Sequence, residues 1–105
     1  MGYKVIIKDE ARIDIVTNWE YYQNLAEGLG DIFEAAVFAR LSDLSLHPLN
    51  YGFLGIDNRK IYRSVLLKKF PYKIVYEVIA TEVVVFEIFH TKRHPSRIFK
   101  RLQGK

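Results

Sequence analysis

A chain of 105 residues is long enough for one core and too short for two, so residues 1–105 are expected to form a single domain burying roughly 65% of its unfolded surface. Half of the residues are hydrophobic, 14% aromatic and 27% charged, with six Gly and three Pro, which excludes intrinsic disorder, collagen-like repeats and low complexity. The absence of cysteine excludes disulfides and thiolate chemistry and leaves zinc only three histidines and carboxylates, so neither a metal site nor a cofactor is expected.

The charge is unevenly spread. Residues 1–52 hold four basic and eight acidic side chains, a net of −4, and residues 53–105 hold twelve basic and four acidic, a net of +8. From Thr91 onward there are six basic residues and no acidic one. An anionic partner follows, either nucleic acid or an acidic protein surface, although a basic tail can also be merely a solvated end. No uncharged apolar stretch approaches the roughly 20 residues of a spanning helix, and the start lacks a signal-peptide pattern. A cytoplasmic protein with no membrane contact is expected.

In chain order, residues 3–7 form a β-branched run suited to a strand, and Asp9 offers an N-cap for a helix. Ile15, Trp19, Tyr22 and Ala26 then recur at helical spacing, with Asp14, Asn18, Glu20 and Gln23 on the wet side. Gly28 and Gly30 end this helix. Asp31 with Glu34 approximates a capping box, and Phe33, Ala36, Val37, Arg40, Leu41 and Leu44 make a second stripe, closed by His47 and Pro48. Residues 9–47 therefore read as a helical hairpin that needs a sheet to cover. Residues 48–60 read as a packed loop with Tyr51, Phe53, Leu54 and Ile56 tucked inward.

Three strand signals follow, at 61–67, 72–79 and 83–90, the last two joined by a tight turn at Ala80, Thr81 and Glu82, giving a mostly antiparallel sheet. Pro71 marks a corner. Alternation assigns Tyr72, Ile74, Tyr76 and Val78 with Val84, Phe86, Ile88 and His90 to the helix side. The face bearing Lys73, Glu77 and Glu87 is left partly open.

No phosphate-cradling loop, metal-ligand spacing, nucleophile elbow or close carboxylate pair occurs. What stands out is a cationic series: Arg63, Lys68, Lys69, Lys73, His90, Lys92, Arg93, His94 and Arg97. Converging on one surface, such groups bind anions, and His, Lys and Arg together can also deprotonate a ribose 2′-hydroxyl and stabilise a phosphorane. Arg63 is equally suited to an ion pair with Glu77 or Glu87 across the sheet, and His90 to a backbone hydrogen bond at a strand end. Tyr62, Tyr72 and Tyr76 can stack on bases, but strand aromatics more commonly belong to a core.

The stretch Arg63-Ser-Val-Leu-Leu-Lys-Lys-Phe-Pro-Tyr-Lys-Ile-Val-Tyr76 and the ending His90-Thr-Lys-Arg93-His-Pro95 resemble the RelE/ParE superfamily of type II toxins, also labelled plasmid stabilisation proteins. The order of strand, helical hairpin, three strands and basic C-terminal tail resembles that α+β fold over nearly the whole chain. The resemblance implies a growth-arresting toxin silenced by a cognate acidic antitoxin that folds onto it. It implies one of two targets: DNA gyrase, as in ParE-like members, or ribosome-bound mRNA, as in RelE-like nucleases. No tyrosine follows Tyr76 and the His90–Arg93–Pro95 ending is similar to ParE, which favours gyrase. If the protein is a nuclease, Arg63, His90 and Arg93 are the catalytic candidates. The binding candidates are Arg63, Lys68, Lys69, Lys73, His90, Lys92, Arg93 and Arg97. A degenerate module that only binds antitoxin and DNA is the third reading.

Overall fold

The computed structural model describes residues 2–55 and 60–103. Strand β1 (Lys4–Ile7) leads into α1 (Asp9–Leu25) and α2 (Leu29–Leu46), and a 3-10 turn at Pro48–Asn50 follows. Then come β2 (Tyr62–Leu66), β3 (Tyr72–Ile79), β4 (Glu82–His90) and a third helix, α3 (Ser96–Gln103). The architecture is α+β, as expected. The expected three antiparallel strands gain β1 as a fourth, in the order β1-β4-β3-β2, with β1 parallel to β4 and the other pairs antiparallel. The helical hairpin carries the chain from β1 at one edge of the sheet to β2 at the other, and β3 and β4 then bring it back beside β1, long enough a connection for the parallel pair.

Two glycines make the hairpin possible. Gly28 adopts φ 86°, a conformation side chains with a Cβ rarely take, and Gly30 lies so close to α1 that a Cβ would stand 2.6 Å from the Trp19 carbonyl oxygen. Both N-terminal expectations change. Lys8 precedes α1, and Asp9 falls in the first turn beside Glu10, where negative charge meets the positive end of the helix dipole. Asp31 and Glu34 form no capping box, because α2 begins at Leu29 behind Gly28; Asp31 instead accepts a 2.9 Å hydrogen bond from Trp19 Nε1, tying the two helices together.

The hairpin covers one face of the sheet. Ala11, Ile15, Phe33, Val37, Leu41 and Leu44 pack on Val65, Ile74, Tyr76, Val83, Val85 and Ile88. Phe33 lies at the centre, its ring 5.3 Å from those of Tyr22, Phe70 and Tyr72. Tyr62, Tyr72 and Tyr76 are all buried, in the core rather than on a base-stacking surface. The helical stripe read from the sequence holds for α2, whereas on α1 it ends at half-buried Tyr22 and Ala26 is exposed.

One irregularity overturns the face assignment for β4. Val75 pairs with Glu87 and Tyr76 with Val85, so Phe86 is an extra residue, a β-bulge. Alternation resets there: Val83 and Val85 face the hairpin, as do Ile88 and Tyr72-opposed His90, while Val84 and Phe86 belong to a second core. That core fills the face expected to lie partly open. Ile98 and Leu102 of α3 cover Tyr62, Val75, Val84, Phe86 and Phe89 there. The basic tail is thus an amphipathic helix, and Glu87, expected at the solvent, is 7% exposed. In the loop after α2, Leu54 is buried and Tyr51 half-buried, but Phe53 is exposed; Ile56 lies outside the described residues.

Candidate functional site

The length of β1 creates the site. Its last rung is the hydrogen bond from Lys8 N–H to the Val85 carbonyl, so β4 runs on past the bulge with no strand on that side. The exposed edge is closed by side chains instead. Asp14 of α1 accepts the Ile88 N–H at 3.0 Å, and Arg101 of α3 donates to Asp14 at 2.7 Å and to the Phe86 carbonyl at 3.4 Å. Between α1 and α3 a cleft of about 420 Å³ remains over this stretch of β4. A shallower groove continues it past Tyr21 and Lys92.

The cleft is electrically divided. At its inner end Arg101 faces three carboxylates: Asp14, Glu10 at 3.5 Å and Glu87 at 4.0 Å. Burial weakens the basicity of Arg101, but its hydrogen bond to Asp14 and the charges of Asp14, Glu87 and Glu10 outweigh that and raise its pKa. Burial pushes the Glu87 carboxyl up to about 7, against the lowering pull of Arg101 and with Asp14 and Glu10 adding to the rise. Glu87 Oε1 has no hydrogen-bond partner. The outer end carries Arg93, Arg97 and Lys100, which form no ion pair among the described residues. His90 stands between the two ends, its ring edge-on to Tyr72 at 4.9 Å and its Nδ1 accepting the Lys92 N–H at 3.1 Å.

The candidates read from the sequence divide into two groups. His90, Lys92, Arg93 and Arg97 line the cleft or its extension. Arg63 lies elsewhere: it pairs with Tyr76 on β3, whereas His90 pairs with Tyr72. Two strand spacings across and four residues along place the Arg63 and His90 Cα atoms about 16 Å apart. The Arg63 guanidinium donates to the Tyr51 carbonyl at 2.6 Å and sits 4.0 Å from the Phe53 ring centroid, holding the loop to the sheet edge. Lys68 and Lys69 are exposed at the β2–β3 turn beside Arg40 and Asp43. Lys73 extends over Phe89, 5.9 Å from the ring centroid. Lys100 and the Asp14–Glu87–Arg101 group were not singled out from sequence. The only signal was α3 itself, where Arg97, Lys100 and Arg101 recur at spacings of three and four.

The two core tyrosines near these groups are each held by a hydrogen bond. Tyr72 donates to Asn18 Oδ1 at 2.9 Å and Tyr76 to the Pro48 carbonyl at 2.6 Å. Burial raises both hydroxyl pKa values, that of Tyr76 to about 12. Among the described residues no three His, Asp or Glu side chains gather as a metal site, and no helix is long and apolar enough to cross a membrane.

No protein-family model and no curated protein matches the chain. Solved structures do. A chain of the chromosomal ParDE TA system from P. aeruginosa superposes with TM-score 0.74 at 12% identity, covering 86% of this chain and 97% of that one. A chain of the toxin–antitoxin complex RelBE2 from Mycobacterium tuberculosis superposes with TM-score 0.60 at 23% identity, covering 86% and 99%. The fold is the RelE/ParE toxin fold that the sequence resemblance implied.

Proposed function

We propose that the protein is the toxin of a type II toxin–antitoxin pair, that it acts ParE-like on DNA gyrase without chemistry of its own, and that an acidic cognate antitoxin silences it. The observation that carries this reading is the likeness in fold, over almost the full length of the ParDE chain. The cations of the cleft agree with it, since Arg93, Arg97 and Lys100 present unneutralised charge to an acidic or phosphate-bearing partner.

Two features favour inhibition over RNA cleavage. Cleavage by a 2′-hydroxyl needs base, acid and cations around one phosphate. Arg63, the third member of the nuclease set, is bound to the Tyr51 carbonyl well away from His90 and Arg93, and the nearby phenols are committed to Asn18 and Pro48. The reading implies a cytoplasmic protein, where gyrase and antitoxin meet it.

A gyrase supercoiling assay with the purified chain tests the proposal. Lost supercoiling or a trapped cleavage complex at micromolar protein supports it. Unchanged supercoiling together with new 5′ ends inside translated codons, read by primer extension after induction, would transfer the reading to a RelE-like nuclease. Growth unaffected by induction without antitoxin would leave only a binding module.

A further inference from the structure

Side chains close the edge of β4 only in part. Asp14 takes the Ile88 N–H and Arg101 the Phe86 carbonyl. In an extended strand the N–H and C=O of one residue point to the same side, and those of the second residue on point there again. The Ile88 carbonyl and the His90 N–H therefore also face α1, whereas the Thr91 N–H turns the other way, to the Pro71 carbonyl at 2.8 Å. The His90 carbonyl accepts the Arg93 N–H at 3.0 Å. What remains is one acceptor and one donor, on either side of Phe89, with no strand opposite them among the described residues. Ile88 and Phe89 line the cleft although their side chains are buried in the two opposite cores, so main chain is what they present to it.

We propose that the cleft takes an extended acidic segment of the target protein, which adds to the open edge of β4 beside Phe89 and sets its carboxylates against Arg93, Arg97 and Lys100. An acceptor before a residue and a donor after it are the footprint of one residue of a parallel strand, whose N–H meets the first and whose C=O meets the second. β1 already pairs with β4 in parallel, so a segment docked there continues the line of β1. The residue opposite Phe89 carries its side chain to the face of Phe89, which is the face that α3 covers. There Arg97 and Lys100, with Arg93 just before the helix, hold no ion pair among the described residues, although Arg101 has three carboxylates. Acid at every second position of an extended segment answers that row of charge. The shallower groove past Tyr21 and Lys92 lengthens the seat beyond one residue. A nucleic acid would answer the cations but not the strand edge, and Tyr72 and His90, edge-on at 79°, give its bases no stacking platform. The inference deepens the proposed function and rests on the cleft being its contact surface, without assuming gyrase.

NMR titration of the full chain at low salt with the peptide Ac-Glu-Thr-Glu-Thr-Glu-NH2 tests it. Binding is expected, with shifts centred on Ile88 to Arg93 and slowed exchange of the His90 amide. Replacing each Glu of the peptide by Lys is expected to weaken binding about tenfold or more, and so is Arg97→Ala/Lys100→Ala, at two exposed positions where truncation leaves the fold intact. Methylation of the peptide nitrogens separates strand pairing from charge alone. On the Glu residues it should abolish binding; on the Thr residues, whose N–H groups point away from β4, it should not. Equal effects of the two methylations, no binding at millimolar peptide, or shifts confined to regions outside the cleft would overturn the proposal. Binding of hexathymidylate but not of the peptide would also overturn it and give the cleft to a nucleic acid. Peptide binding with unimpaired supercoiling supports the inference and fails gyrase as the target; lost supercoiling without peptide binding does the reverse.

Discussion

On one face of the sheet α1 and α2 bury a continuous apolar layer centred on Phe33, whose ring meets those of Tyr22, Phe70 and Tyr72; on the other, α3 contributes two apolar side chains, Ile98 and Leu102, and one guanidinium. The hairpin side is stable through area and shape, which water cannot compete for. The α3 side depends partly on charge, because Arg101 binds Asp14 and approaches a buried Glu87 whose burial is only partly compensated. The side with the weaker hold also carries the cleft. Regions that open or bind are drawn from the low-stability end of a fold, and an eight-residue helix fixed at two apolar positions fits that description.

The comparison predicts unequal responses to truncation. Phe33→Ala should cost about 3 to 5 kcal/mol in chemical denaturation, because the surrounding rings cannot collapse into the void. A loss below about 1 kcal/mol would mean the hairpin side is not the mainstay.

Next in size is a pH effect on the α3 side. Glu87 has a folded pKa raised from 4.5 to about 7 by burial. Between those values the folded state holds a proton that the unfolded state has released, so stability falls as pH rises through this window and is fully present below it. A shift from 4.5 to about 7 corresponds to about 3 kcal/mol at most. Glu87→Gln should flatten that slope in denaturation series from pH 4.5 to 7.5, and an unchanged slope would assign it to other groups.

Ile98→Ala should cost about 2 kcal/mol, near the bottom of its class, because α3 can leave the sheet while the hairpin core remains. Hydrogen exchange would show it: faster exchange in α3 with α2 unchanged is the expected pattern, and uniform acceleration would merge the two sides into one cooperative unit. Smallest is Arg93→Ala, an exposed cation without an ion-pair partner among the described residues. Its melting temperature should stay near wild type, with stability changed by no more than about 0.5 kcal/mol, while the growth arrest that the proposed function predicts on induction weakens. A destabilised variant would mean that Arg93 is structural.

Much of this fold was legible because its signals are periodic. The apolar spacing from Phe33 to Leu44 and the alternation through β3 report directly on burial, and both hold. The β4 assignment failed at one residue, since nothing local announces that Phe86 is an extra residue until Val75 and Tyr76 are paired with Glu87 and Val85. The same bulge turns Glu87 inward to Arg101. Ile98 and Leu102 are too few to signal a helix against six basic neighbours, so the sequence shows a basic tail that suits an anionic partner and not the helix that covers a second core. The cleft was legible only in part. His90, Arg93 and Arg97 stand close in sequence, but Asp14 reaches Arg101 across 87 positions, and that proximity exists only after folding. Arg63 was attributed to the same cluster because a strand arginine looks alike whether it meets a phosphate or a loop carbonyl.

The most direct test of the proposed toxin reading is growth after induction of the chain alone, comparing wild type with an Arg93→Ala/Arg97→Ala variant of matched expression and melting temperature. The account predicts arrest by wild type and growth with the variant. Equal arrest by both would contradict the role assigned to the cleft, and unimpeded growth with wild type would contradict the toxin itself.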